Sequence, residues 1–341
     1  MTNIPRINRF LFVLYILLTA GVLVAALIWP GVRAVAYAPL RDLLLPAFYL
    51  PTSAGIQARI TVAAPPTLET WVREAAADFN RQNALIEVSV VGLHGVEAGR
   101  QLNASVTDLP DVWIAEADFV RTGVGGVPYE TGGPSVAQDG LAWVVVASKR
   151  DQVGDLTWQA VSDAARNDMQ FRIAVPPTGS VEGMAACMSA SAAYHQQANL
   201  TADLVNDAAF RQWLDELLTA APNRSRSPRD QLGSRPPEVD VGLILGSDWH
   251  QLPQEAFVYQ PPRYNVMFNY PYLVRSNWHE LPEDEADARR IAAQKFSAFL
   301  LGAGPQSKLV NYGLERAGAP PSGQIVSVDD QAVRALQACW Q

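Results

Sequence analysis

The chain is poor in the residues that usually announce chemistry. It holds two cysteines, Cys187 and Cys339, and four histidines at positions 94, 195, 250 and 279. None of them falls in a CxxC or HExxH spacing, so neither a metal site nor a cofactor is expected. No GxSxG run occurs either. Ser180 has no local base: His195 lies about four helical turns further on, roughly 22 Å at 1.5 Å per residue. No catalytic residue is therefore assigned and no enzymatic activity is expected. The glycine-rich TGVGGVPYETGGP (122–134) lacks the Lys-Ser/Thr ending of a phosphate loop and is expected to cover a cleft or a partner. Excess basic charge is also missing. A net charge of −8 and an isoelectric point of about 5.1 argue against nucleic acid. The one basic cluster, NRSRSPRDQLGSRPP (223–237), reads as a solvated loop. No period of 20–50 residues repeats.

What is present in abundance is apolar sequence at the start. Phe10 to Trp29 is an uncharged run of twenty residues, about 30 Å as a helix, the thickness of a hydrocarbon core. Arg6 and Arg9 precede it, which keeps residues 1–9 cytoplasmic and sends the bulk of the chain outward, to the periplasmic or extracellular side. AVAYA (34–38) offers the Ala-x-Ala pattern of a cleaved signal, but the run exceeds the usual h-region. A retained single-pass anchor over 10–29 is the preferred reading. Residues 30–57 then form a membrane-proximal linker, with a greasy stretch, RDLLLPAFYLPTSAG (41–55), suited to the membrane surface or to a membrane-protein partner. In an oxidising compartment the two cysteines are able to pair, but nothing in their spacing shows that they do.

The remainder alternates strand and helix. Ile60–Ala63 is a short strand. Leu68, Val72, Ala75, Ala76 and Phe79 then place one apolar stripe on a helix, with Thr67 as its N-cap. IEVSVV (86–91) and DVWIAEADF (111–119) follow as strands, the grammar of a parallel sheet with crossover helices. LAWVVVA (141–147) reads as a central strand buried on both faces. FRIAV enters PPTGS and a helix of small residues, and VDVGLIL (239–245) ends in GSDWH. Ala288, Ala292, Phe296, Phe299 and Leu300 mark a last amphipathic helix that stops at Gly302.

In this order, ITVAAPPTLETWVREAAADFN, LPDVWIAEADF, LAWVVVASKR, FRIAVPPTGSVEGMAA, DVGLILGSDW, NYPYLV and ADARRIAAQKFSAFLLGAGPQSKLVNYGLERAG resemble the bacterial extracytoplasmic (periplasmic) solute-binding proteins of the second structural type. The resemblance covers roughly residues 58–318 and is nearest to a membrane-anchored branch often joined to a von Willebrand A domain, which the 341 residues are not expected to include. GLERAG departs from the Gly-Phe-Arg-Pro-like end of that family. The resemblance implies an α/β fold of two lobes, each a mainly parallel sheet flanked by helices. The first lobe would be 58–142 with a return over 269–341, and the second 143–268. It also implies a small solute held between the lobes by Pro66, Thr67, Glu116, Thr178, Gly179, Ser180, Ser247, Asp248 and Tyr270.

Read from the residues alone, Thr67 and Ser180 begin helices, where an anion is favoured, but ordinary capping is the preferred account of both. Glu182 already occupies the first turn after Ser180. No Arg or Lys stands in the matched loops to meet an oxyanion, whereas Glu116 and Asp248 suit a cation or an amine, surface-loop carboxylates being their plainer reading. Two functions follow. One is a membrane-anchored, non-catalytic solute-binding protein serving a transporter. The other is an accessory subunit of a larger membrane complex, for example an electron-transfer assembly, in which the cleft is unused.

Overall fold

A computed structural model describes residues 57–336, apart from 94, 96–97, 99–100, 103–108, 178 and 279–280. The expected anchor 10–29, the linker up to residue 56, Thr178 and Cys339 lie outside the described residues. Among those described, no helix is long and apolar enough to cross a membrane.

Strand β1 (Ala58–Ala64) pairs in parallel with β2 (Ile86–Gly92), Ala58 facing Ile86 and Ala64 facing Gly92. It also pairs in parallel with β3 (Val112–Ile114), through Val62 and Val112. Between β1 and β2 runs helix α1 (Pro66–Gln82), which buries Leu68, Trp71, Val72, Ala75, Ala76 and Phe79. The expected stripe is there, with Trp71 added to it. The start of α1 differs from expectation. Pro65 is the N-cap and Pro66 the first helical residue, because proline's fixed φ suits that position and its missing N–H costs nothing there. Thr67 therefore sits inside the first turn and caps nothing.

The second sheet is built around β4 (Asp139–Val146), whose residues Leu141 to Val145 are fully buried. The helix α2 (Trp158–Asn167) and the strand β5 (Ile173–Ala174) follow, then α3 (Val181–His195), α4 (Ala208–Leu218) and α5 (Pro228–Gly233). Strand β6 (Val241–Leu245) runs antiparallel to β4 and parallel to β5. Strands β7 (Phe257–Gln260) and β8 (Met267–Phe268) also lie antiparallel to β4. This sheet is mixed, not mainly parallel as expected. The reason is that a strand buried on both faces reads as the same apolar run whichever way its neighbours point.

Helix α3 is buried almost all round by small residues, from Val181 and Gly183 through Ala192. Its Ser189 accepts a hydrogen bond from Trp158 Nε1 at 2.9 Å and donates to the Tyr264 carbonyl at 2.6 Å. The Trp158 ring meets Trp143 of β4 edge-on at 4.9 Å. Cys187 on the same helix is fully buried and disulfide-bonded; the sequence has one other cysteine, Cys339.

Two passages join the sheets. After β3 the chain crosses to β4, and after β8 it crosses back to β9 (Tyr272–Val274), antiparallel to β3 in the first sheet. The passages run side by side: Val136 N–H donates to the Tyr270 carbonyl at 3.1 Å and Tyr272 N–H to the Pro134 carbonyl at 2.9 Å. The glycine-rich stretch therefore forms part of this crossing and not a cover. Gly133 is required in it, since a Cβ there would lie 1.9 Å from the Tyr272 carbonyl oxygen. The tail returns as α7 (Glu283–Leu300), packing Phe296 and Phe299 edge-on against Phe79 at 5.3 and 5.4 Å. Arg289 of α7 reaches the buried Asp111 carboxylate at 3.3 Å, and that carboxylate also accepts from Thr61 N–H at 2.8 Å.

Candidate functional site

Four of the expected residues come together. Pro66 and Thr67 of α1 face Ser247 and Asp248 of the short helix α6 (Gly246–Trp249) across a cavity of about 380 Å³. Its first-lobe wall is completed by Thr70 and by Asn311 and Tyr312 of a 3₁₀ turn, Leu309–Tyr312. Its second-lobe wall adds Arg229, His250 and Gln251. Pro66 and Thr67 follow the end of β1, and Ser247 and Asp248 follow the end of β6, each pair at a helix start, whereas Asn311 and Tyr312 come from a turn that follows a helix.

Glu116, Gly179, Ser180 and Tyr270 do not line this cavity. Ser180 caps α3, accepting from Gly183 N–H at 2.9 Å, and Gly179 beside it is exposed at φ +87°. Glu116, just past β3, is buried and accepts a hydrogen bond from Gly95 N–H at 2.7 Å. Burial, reinforced by the charge of Glu182, pushes its carboxyl up to about 7. Tyr270 stands in the returning crossover at φ +37°, fully buried. Its hydroxyl makes no hydrogen bond of good geometry, although Thr67 lies near enough to favour its ionised form slightly. Burial, with the carboxylates of Asp139, Glu182 and Glu116 around it, raises the phenol well above its ordinary value.

Asp139, the first residue of β4, is the buried acid that sequence reasoning missed. It accepts from Gly140 N–H at 2.7 Å and from Ser247 N–H at 3.2 Å. Burial outweighs these bonds and pushes its carboxyl up to about 7. Nothing in an apolar strand pattern marks its first residue as acidic machinery.

Asp248 differs from both. It is about a quarter exposed, its side chain at 28%, and Arg229 Nη1 approaches it at 3.5 Å. Its carboxyl rises to about 6, by burial first; Arg229 pulls the other way, and Glu182 and Asp230 add to the rise. Arg229 corrects the expectation that no basic residue stands at the cleft. It belongs to α5, inside the stretch read as a solvated loop, where Ser227 followed by Pro228 was the available sign of a helix start. Its guanidinium is already engaged, donating to Gln251 Oε1 at 2.7 Å and to Asp230 Oδ1 at 3.1 and 3.2 Å.

The lobes touch on both flanks of the cleft. A Cβ on Gly95 would lie 3.2 Å from Val181 Cγ2, and one on Gly313 would lie 2.4 Å from His250 Cδ2 and 2.9 Å from Ser247 Cα. Gly313, at φ +71°, is thus the point where the tail lies against α6. Among the described residues, no cluster of His, Cys, Asp and Glu has the arrangement of a metal site.

A sequence model of the family described as bacterial extracellular solute-binding protein matches residues 60–315. No curated protein matches the sequence significantly. Among solved structures, the chain is similar to a periplasmic thiamin binding protein, with 13% identity, coverage of 86% of this chain and 98% of that one, and a TM-score of 0.61. It is similar to an ABC transporter structure from Clostridium perfringens, with 11% identity, 82% and 97% coverage and a TM-score of 0.61. It is also similar to the sulfate-binding protein SubI from Mycobacterium tuberculosis H37Rv, with 13% identity, 81% and 96% coverage and a TM-score of 0.56. These likenesses show a two-lobe α/β fold of the periplasmic-binding-protein kind.

Proposed function

We propose, from the premise that the chain belongs to the family of bacterial extracellular solute-binding proteins, that it captures a small solute between its lobes and delivers it to a membrane transporter. The observation that carries this reading is the cavity of about 380 Å³ whose walls come from both lobes, Pro66 and Thr67 on one side and Ser247 and Asp248 on the other. Its volume falls within the range of small-molecule sites, about 300–1,000 Å³. The lobes in this reading are 58–142 with 269–341, and 143–268; residues 10–29 tether them to the membrane, with 41–55 against the transporter. A disulfide-bonded Cys187 supports an oxidising compartment outside the cytoplasm.

A thermal-shift survey of the full chain in detergent, across metals, oxyanions, amino acids, sugars and organic cations, tests the proposal. A solute at 100 times its Kd adds about 2.7 kcal/mol of stability, a rise of roughly 5–10 °C for a domain of this class. A flat response across all classes would refute solute capture.

The close approaches at Gly95–Val181 and Gly313–His250 favour a second reading, an accessory subunit of a membrane complex in which the fold is kept and the cleft is idle. Gentle solubilisation followed by native electrophoresis separates the two: migration as a lone monomer rules out the subunit.

A further inference from the structure

We infer that the solute taken by this cavity is a small organic cation, a protonated amine, an amidinium or a charged heterocycle, seated on the Asp248 carboxylate and the Ser247 hydroxyl. The inference rests on the solute-capture reading and names the chemical class of what is captured.

The first ground is a shortage of donors for an anion. The N-terminus of α1 opens on Pro65 and Pro66, neither of which has an N–H, and the amides of Leu68 and Glu69 both turn back to the Pro65 carbonyl at 2.9 Å. That leaves Thr67 alone of the four amides a helix start normally offers. Across the cavity the Ser247 amide is committed to Asp139 at 3.2 Å. The cavity's guanidinium, Arg229, is held by Gln251 and Asp230 and stands 3.5 Å from Asp248. An oxyanion entering here would have to take Arg229 from two acidic partners.

The second ground is an acceptor left over. Ser247 lines the cavity and is only 3% exposed; its hydroxyl makes no hydrogen bond of good geometry, although it lies near enough to Asp139 to favour that carboxyl's charged form. A hydroxyl that spends its proton toward Asp139 keeps its lone pairs, which an N–H-bearing ligand would use. Beside it stands Asp248, on which the carboxylates of Glu182 and Asp230 act against one guanidinium, Arg229. Asp230 and Arg229 face it from α5, Glu182 from α3 and Asp139 from β4, with His250 next on its own turn and Tyr312 opposite. One guanidinium among these carboxylates leaves a field that attracts positive charge.

Titration calorimetry on the full chain in detergent, with ethanolamine, agmatine, choline and thiamine set against sulfate, molybdate, citrate and maltose, decides the matter. At least one cation is expected to bind, and its affinity to fall about tenfold per pH unit below pH 6, as Asp248 takes up a proton. Asp248→Asn should weaken that cation about 10- to 100-fold, and Ser247→Ala about 5- to 10-fold. The pH series on the unaltered protein gives the same reading independently of how either variant folds. Binding of an anion or of maltose, with no cation bound, overturns the assignment of class and leaves solute capture standing. No binding by any member overturns both. Cation binding that is indifferent to pH and to Asp248→Asn overturns the seat.

Discussion

Raising the pH should destabilise this protein, and two buried carboxyls say by how much. Glu116 and Asp139 lie between the lobes with their carboxyls moved up to about 7, from ordinary values of 4.5 and 3.8, burial being the main cause in both. A carboxyl whose folded value lies above its unfolded one binds its proton more tightly in the native state. Between the two values the native chain holds a proton that the unfolded chain has lost, so stability falls as pH rises through that interval and levels off above it. At about 1.36 kcal/mol per pH unit, the loss is about 3 kcal/mol for Glu116 and about 4 kcal/mol for Asp139. Both are of the order of a large part of a domain's total stability. Thermal or urea unfolding from pH 4.5 to 8.5 should show a fall that is complete near pH 8. Glu116→Gln, which keeps the volume and removes the titration, should flatten the slope by its share. A profile that rises with pH across this window, or a Glu116→Gln profile that parallels the unaltered one, would refute the argument that these acids are buried without charge partners.

Two further perturbations probe the frame that holds them. Gly313→Val puts side-chain carbon where His250 and Ser247 now stand, at a φ that non-glycine residues avoid; small-angle scattering should show a larger radius of gyration, the lobes held apart. Trp158→Ala removes a ring packed on Trp143 and the N–H that Ser189 accepts; calorimetry should show a loss of about 3–5 kcal/mol.

How much of this was legible in the residues follows from what periodicity encodes. The stripe from Leu68 to Phe79 was visible because a 3.6-residue period states which face is buried. So was the centrality of β4, because only a strand covered on both faces tolerates Leu-Ala-Trp-Val-Val-Val. Strand direction was not, and the second sheet turned out mixed. At the candidate site, Pro66, Thr67, Ser247 and Asp248 were singled out by their position beside strand ends, and they line one cavity. Arg229, Asn311 and Tyr312 were not, since they reach the cavity from segments far apart in sequence whose local composition is that of ordinary loops. Asp139 was hidden for another reason. Its acidity matters only because the tertiary structure strips away its water.

The three raised carboxyls divide the cleft by depth. Asp248, partly exposed and opposed by Arg229, ionises near 6, whereas the fully enclosed Glu116 and Asp139 keep their protons to about 7. Environment alone sets the order, since the same functional group is used throughout. Between those values the charged carboxylate stands at the cavity and the acids behind it are neutral. In the proposed reading, a cation entering in that interval meets the ionised Asp248 while the two more deeply buried acids are largely protonated. The fold by itself leaves the sign of a solute open. That sign is decided by which amides prolines have removed, which guanidinium is already engaged and which carboxyl loses its proton first.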